Sequence, residues 1–159
     1  MTTLAHPSDS LRSAWLTRLL ATDDDVIPTI ARLIRGLVIL PHGLQKTLGW
    51  FGGYGFSGTM GFFTETMGIP TVFALLAIAA ESLGALALIA GALTRVAALG
   101  IGAVMAVALT IHQSNGFFMN WSGAQAGEEF EYHLLARGLV LVTIIRGGGR
   151  GSVDGVLSR

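Results

Sequence analysis

Seven ionisable side chains, Arg35, His42, Lys46, Glu81, His112, His133 and Arg137, fall within or at the ends of apolar stretches. Ionisable groups are costly in such surroundings, so each needs a partner, a proton to carry or a ligand to hold. A carboxylate beside cations and imidazoles has the means to accept, donate and relay protons. At 100° per residue, Arg35, His42 and Lys46 fall within about 40° of one another on one helix and point together. Glu81 shares its face with Ala74, Ala77, Gly84 and Ala85, small neighbours that let a second helix reach the carboxylate. His133 and Arg137 are four apart and share a face. These placements predict a polar pocket centred on Glu81, with Arg137 as its partner and His42 and Lys46 nearby. The structural alternative is a set of ion pairs that fixes helix register.

The elements that must position these groups are membrane helices. The chain of 159 residues fits one domain; 52% of it is hydrophobic and only 13% charged, with a mean hydropathy of +0.63. A soluble domain carries about 25% charged residues, so this chain is too apolar for water. Ten acids balance ten bases, and no basic stripe points to nucleic acid. The absence of Cys excludes disulfides, thiolate metal sites and dithiol chemistry by this chain alone. No two His share an i, i+4 spacing on one helix, so no metal site is expected.

A spanning helix needs ~20 mostly apolar residues. Four stretches qualify, at about 27–48, 70–92, 95–114 and 131–147, the last short and broken by Arg137. They predict an all-α, integral membrane four-helix bundle over residues 27–147. Before it lies a polar segment, 1–26, where Leu11, Trp15 and Leu19 suit a short amphipathic helix on the membrane surface; an ordinary polar tail is the alternative. A tail, 148–159, follows. Four spans put both termini on one side. Arg12, Arg18, Arg95, Arg146, Arg150 and Arg159 gather at that end, while the opposite loops hold Glu65, Glu128, Glu129 and Glu131 and no Lys or Arg. The positive-inside rule then places both termini in the cytoplasm. Trp50, Phe51, Tyr54, Phe117, Phe118 and Trp121 would form an aromatic belt at the outer interface.

Three motifs carry no chemistry. "GYGFSG" at 53–58 matches a dinucleotide-loop pattern but lies in a loop after a membrane helix, outside any βαβ unit. "NWS" at 120–122 is a formal glycosylation sequon that has meaning only in a eukaryotic secretory setting. Ala98, Gly102 and Ala106 form a small-residue ridge suited to close helix packing, including packing between copies of the chain.

The ordered set "RLIRGLVILPHGLQKTLGWFGGYG", "MGIP", the "ES-G" of Glu81, Ser82 and Gly84, "GALTRVAAL", "IHQSNGFF", "GEEFEYHLLA" and "GGGRGSVDGVL" resembles the DoxX family over about residues 30–157. The resemblance implies a small four-helix protein of the bacterial inner membrane. Some relatives are subunits of thiosulfate:quinone oxidoreductase or of a terminal quinol oxidase, and others are linked to thiol and oxidative-stress homeostasis. The family's recurring positions correspond here to Arg35, His42, Gly43, Lys46, Glu81, Gly84, Gly91, Arg95, Glu129, Gly149 and Asp154.

Two functions from different classes follow. In the first, the chain is a redox-associated membrane subunit whose outward-opening pocket binds a quinone head group, while an oxidoreductase partner supplies electrons. It is then an accessory subunit rather than a self-sufficient enzyme, with no covalently bound cofactor and no assigned catalytic residue. In the second, it is a non-enzymatic scaffold or small-molecule permeation protein whose buried charges are structural. The lipid bilayer is a partner in both, and a homo-oligomer suits both.

Overall fold

The computed structural model describes residues 7–120, 122–123 and 130–158, with side chains from residue 14 onward. Leu11, Arg12, Trp121, Glu128, Glu129 and Arg159 therefore lie outside the described residues or side chains. Among those described, the chain is all-helical: α1 (Pro7–Leu20), α2 (Val26–Leu48), α3 (Gly55–Gly61), α4 (Thr71–Ala90), α5 (Thr94–His112), α6 (Glu131–Arg146) and α7 (Val153–Leu157). Helix α3 runs on into a wider π-helical turn, Phe62–Thr66. Three helices, α2, α4 and α5 with its following turn, are long and apolar enough to cross a membrane. Helix α6 has 16 residues, or ~24 Å, short of the ~30 Å hydrocarbon layer.

Helix α2 starts where the Asp25 side chain accepts from the Ile27 amide at 3.0 Å, an N-cap that meets one of the free amides of the first turn. It runs through Pro41, which is exposed, and ends at Gly49. Its buried stripe, Arg32, Arg35, Gly36, Ile39 and Gly43, packs on α4 and α6, and α5 packs on α4 and α6 from the other side. The core is Ile39, Ala85, Leu88, Ala97, Ile101, Met105 and Ala136. Large apolar side chains also cover the outside: Leu76, Leu83, Leu86, Leu135, Leu141 and Ile145 are all exposed. An apolar exterior of this extent belongs in lipid rather than water.

Backbone contact sets the distance between α2 and α4. A Cβ on Gly43 would fall on the Glu81 carbonyl and 2.6 Å from the Ser82 Cα, and one on Gly36 would lie 2.7 Å from the Ile89 side chain. The small-residue ridge of α5 is used inside the molecule. Ala98 is fully buried, and a Cβ on Gly102 would lie 3.0 Å from Val140 of α6. The ridge residues Ala98 and Gly102 thus serve close helix packing within the chain.

The end of the molecule that holds the α4–α5 turn is capped from a distance. Arg32 donates to the last carbonyls of α4, at Leu88 (2.9 Å) and Ile89 (2.6 Å), and to Gly148 (2.7 Å) and Gly151 (3.2 Å) in the tail. Helix α5 has no side-chain cap of its own. Asp154 supplies one, accepting from the amides of Leu93 (2.7 Å) and Thr94 (2.8 Å) and from the Thr94 hydroxyl (2.6 Å). Gly91, at φ +75°, brings the turn against Ser152, where a Cβ would lie 2.6 Å from its Cα. Arg95 donates to Ile144 and Ile145 at the end of α6 and to Leu19 and Ala21 at the end of α1. Arg146 pairs with Asp23 and Asp25, and Arg150 with Asp24. Several arginines at this end are therefore helix caps and ion-pair partners as well as surface charge. Trp15 and Leu16 of α1 are exposed.

Two substitutions test this packing. Asp154→Ala strands two buried donors and one half-buried one and is expected to cost ~3 kcal/mol, a drop of roughly 10 °C in Tm, with Asp154→Asn losing less; thermal unfolding of the purified proteins in detergent measures both. Gly43→Ala forces α2 away from α4 and is expected to cost ~3 kcal/mol by overpacking. A Gly43→Ala protein as stable as the wild type would contradict the close crossing.

Candidate functional site

The Gly43 crossing brings two of the expected charges together. Lys46, the last basic residue of α2, forms an ion pair with Glu81 in the middle of α4. The Glu81 side chain is 6% exposed and that of Lys46 23%, so the carboxylate is covered by protein while the ammonium reaches open space. Beyond that contact Glu81 Oε2 has no hydrogen-bond partner among the described residues, and it keeps free lone pairs for another donor.

The open space is a cavity of about 910 Å³ along the α4–α5 face. Its walls are mostly apolar, with Phe62 and Phe63 from the π-helical turn, Met67, Phe73 and Leu76 among them. Polar groups enter it at two places. One is the Lys46–Glu81 pair with His42; the other is His112, Tyr132 and His133. The His112 and His133 rings lie 5.1 Å apart at 31°, and Tyr132 meets His133 edge-on at 5.6 Å. The Nδ1 of His112 is buried without a hydrogen-bond partner among the described residues. A π-helical turn at a cavity rim is common at functional sites. Among the described residues, no three His, Asp or Glu side chains come together as a metal-binding group.

Five of the seven expected residues, His42, Lys46, Glu81, His112 and His133, thus line one cavity. Arg35 and Arg137 do not. Arg35 is 2% exposed in the core, and its three guanidinium nitrogens have no hydrogen-bond partner among the described residues. An unpaired buried cation is a net cost to folding. Arg137 is exposed and faces a separate cleft beside Leu99, Gly102, Ala103, Val140 and Leu141. The partner of Glu81 is therefore Lys46 rather than Arg137. The buried stripe of α6 is His133, Ala136, Val140 and Thr143, and Arg137 sits ~100° round the helix from Ala136, outside that stripe.

Sequence reasoning missed Tyr132, whose position beside His133 was its only signal. It also missed Arg32, whose carbonyl partners come from segments remote in the chain. The expectation that Arg35 shares a face with His42 and Lys46 holds in angle, yet burial separates them. Arg35 lies on the stripe that α4 and α6 cover, while His42 sits at its exposed edge.

Comparison with known proteins adds one finding. Searches of the curated proteins and of the solved structures give no match. A family model described as DoxX matches residues 27–114, more than half of the chain and the whole run from α2 to the end of α5. That run holds Lys46, Glu81, His42 and His112, while His133 and Tyr132 lie beyond it. With three helices apolar enough to span, the protein is a membrane protein, and the chain belongs to the DoxX family.

Proposed function

We propose that the α4–α5 cavity binds a quinone, or a small amphiphile of the same shape, and that the chain is the membrane subunit of a redox system whose electrons come from a partner oxidoreductase. In this reading α6 is the fourth span of a four-helix bundle in the bacterial inner membrane, its ends helped by the neighbouring helices. The arginine-rich end faces the cytoplasm, as the positive-inside rule requires.

The observation that carries the reading is the distribution of polarity in one cavity: an apolar wall interrupted at two places by groups able to donate and accept. Ligand sites of this kind are mostly apolar with a few placed polar groups. A quinone has two carbonyl oxygens, an apolar tail and, when reduced, a need for protons. Lys46 offers ammonium protons beside the Glu81 carboxylate, and the unpartnered His112 Nδ1 can donate or accept according to its tautomer. His42, exposed at the rim, suits proton exchange between the cavity and its surroundings. Phe62 and Phe63 cover the cavity beside them and would limit water there, which strengthens each polar contact inside.

The test is mass spectrometry of the quinones and lipids released from the purified protein, beside Glu81→Gln and His112→Phe. Quinone is expected near one per chain in the wild type and at least about tenfold lower in each folded variant, equivalent to ~1.4 kcal/mol of binding. No quinone in the wild type, or equal amounts in all three, would overturn the reading and favour a scaffold or permeation protein with a structural Lys46–Glu81 pair.

A further inference from the structure

The exposed residues of α6 are Leu134, Leu135, Arg137, Gly138, Leu141, Ile145 and, at its end, Arg146. Its only charge within the helix body is Arg137, which forms no ion pair with a described residue. Beside it lies a cleft of about 350 Å³ between α5 and α6, with Leu99, Gly102, Ala103, Val140 and Leu141 as its other lining residues. The surface therefore joins one cation to one apolar slot.

Cation and slot are ordered along the helix. Arg137 lies six residues from the start of α6, ~9 Å along its axis. Val140 and Leu141 lie one turn further toward Arg146. Gly102 of antiparallel α5 meets Val140, and Leu99 lies deeper still toward the Thr94 end. Side chains on a helix lean toward its N-terminus, so the guanidinium reaches toward the end of α6 that starts at Glu131, while the slot runs away from it. That is the polarity of a phospholipid in the leaflet on the Glu131 side, with the head group near the surface and the acyl chain inward. Arginine favours phosphate through paired hydrogen bonds, and its long stem lets the charge rise to head-group depth. A partner helix carrying a carboxylate is the rival occupant, and the oligomeric state separates it from a lipid.

We propose that the α5–α6 face holds one anionic phospholipid, its phosphate on Arg137 and an acyl chain in the cleft lined by Gly102, Ala103 and Val140. The site shares only Ala103 with the quinone cavity and rests only on the part of the proposed function in which α6 spans the bilayer.

The test uses the full-length protein, delipidated and then titrated with phosphatidylglycerol or phosphatidylcholine, with retained lipid read by native mass spectrometry. The wild type is expected to retain phosphatidylglycerol at least about tenfold over phosphatidylcholine, Arg137→Lys to keep part of that preference, and Arg137→Leu to lose it. Equal retention by wild type and Arg137→Leu would overturn the site; so would a change in oligomeric state with lipid retention unchanged, the mark of a partner helix. Because the chain has no Cys and a side chain at Gly138 meets open space, Gly138→Cys reports the depth of α6. Its reaction with a membrane-impermeant maleimide in vesicles would overturn the spanning of α6 and the lipid site together. An unreactive Gly138→Cys with no lipid preference would overturn the lipid site alone. Quinone content, read in the same samples, reports the other cavity independently.

Discussion

The ion pair between Lys46 and Glu81 is the constraint on which the rest of the site depends. A carboxylate in the middle of an apolar helix and an ammonium near the end of another are each expensive in lipid. Together they are tolerable, and only when the two helices approach closely. Gly43 allows that approach by leaving no atom between α2 and the Glu81 carbonyl. The pair thereby fixes the register of α2 on α4, since a slide of one turn would part the charges. It also fixes which side of α4 is polar, and the cavity opens on that side.

The opposite end of the helices is held by a different device. Helix ends leave carbonyls and amides unsatisfied, and here remote side chains meet them: Arg32 for α4, Asp154 for α5, Arg95 for α6 and α1. The tail after α6 is folded back into the α4–α5 turn by these bonds, with the Asp154 amide donating to the Gly91 carbonyl at 2.9 Å. Arginines that a topology rule counts only as charge thus serve as caps. A guanidinium suits the second use because its several N–H donors can meet more than one carbonyl at once.

Much of this was legible in the sequence. Long apolar runs bounded by Gly49, Pro70 and Gly91 mark three helices apolar enough to span, and helical angle alone puts His42 and Lys46 on one side of α2. What the sequence did not disclose depends on contacts between helices. Whether Lys46 or Arg137 meets Glu81 turns on which stripe of α6 is buried, and that depends on packing against α5, where Gly102 lies close to Val140. The Arg32 and Asp154 caps join residues 56 to 119 positions apart, a distance over which periodicity carries no signal. The ridge of Ala98 and Gly102 read correctly as a packing surface, and at Gly102 its partner is Val140 of α6. Tyr132 and His133 fall outside the matched family region, and the packing of α6 brings them to the cavity.

The most direct measurement is photo-crosslinking with an azido-quinone in native membranes, followed by mapping of the modified residues. If the cavity is the quinone site, label concentrates on peptides containing His42 and Lys46, Phe62 to Met67, and His112 or Tyr132 to His133, and an excess of unmodified quinone removes it. Label spread over the exposed apolar surface, or gathered on the Leu135–Leu141 face and insensitive to competitor, would contradict the assignment.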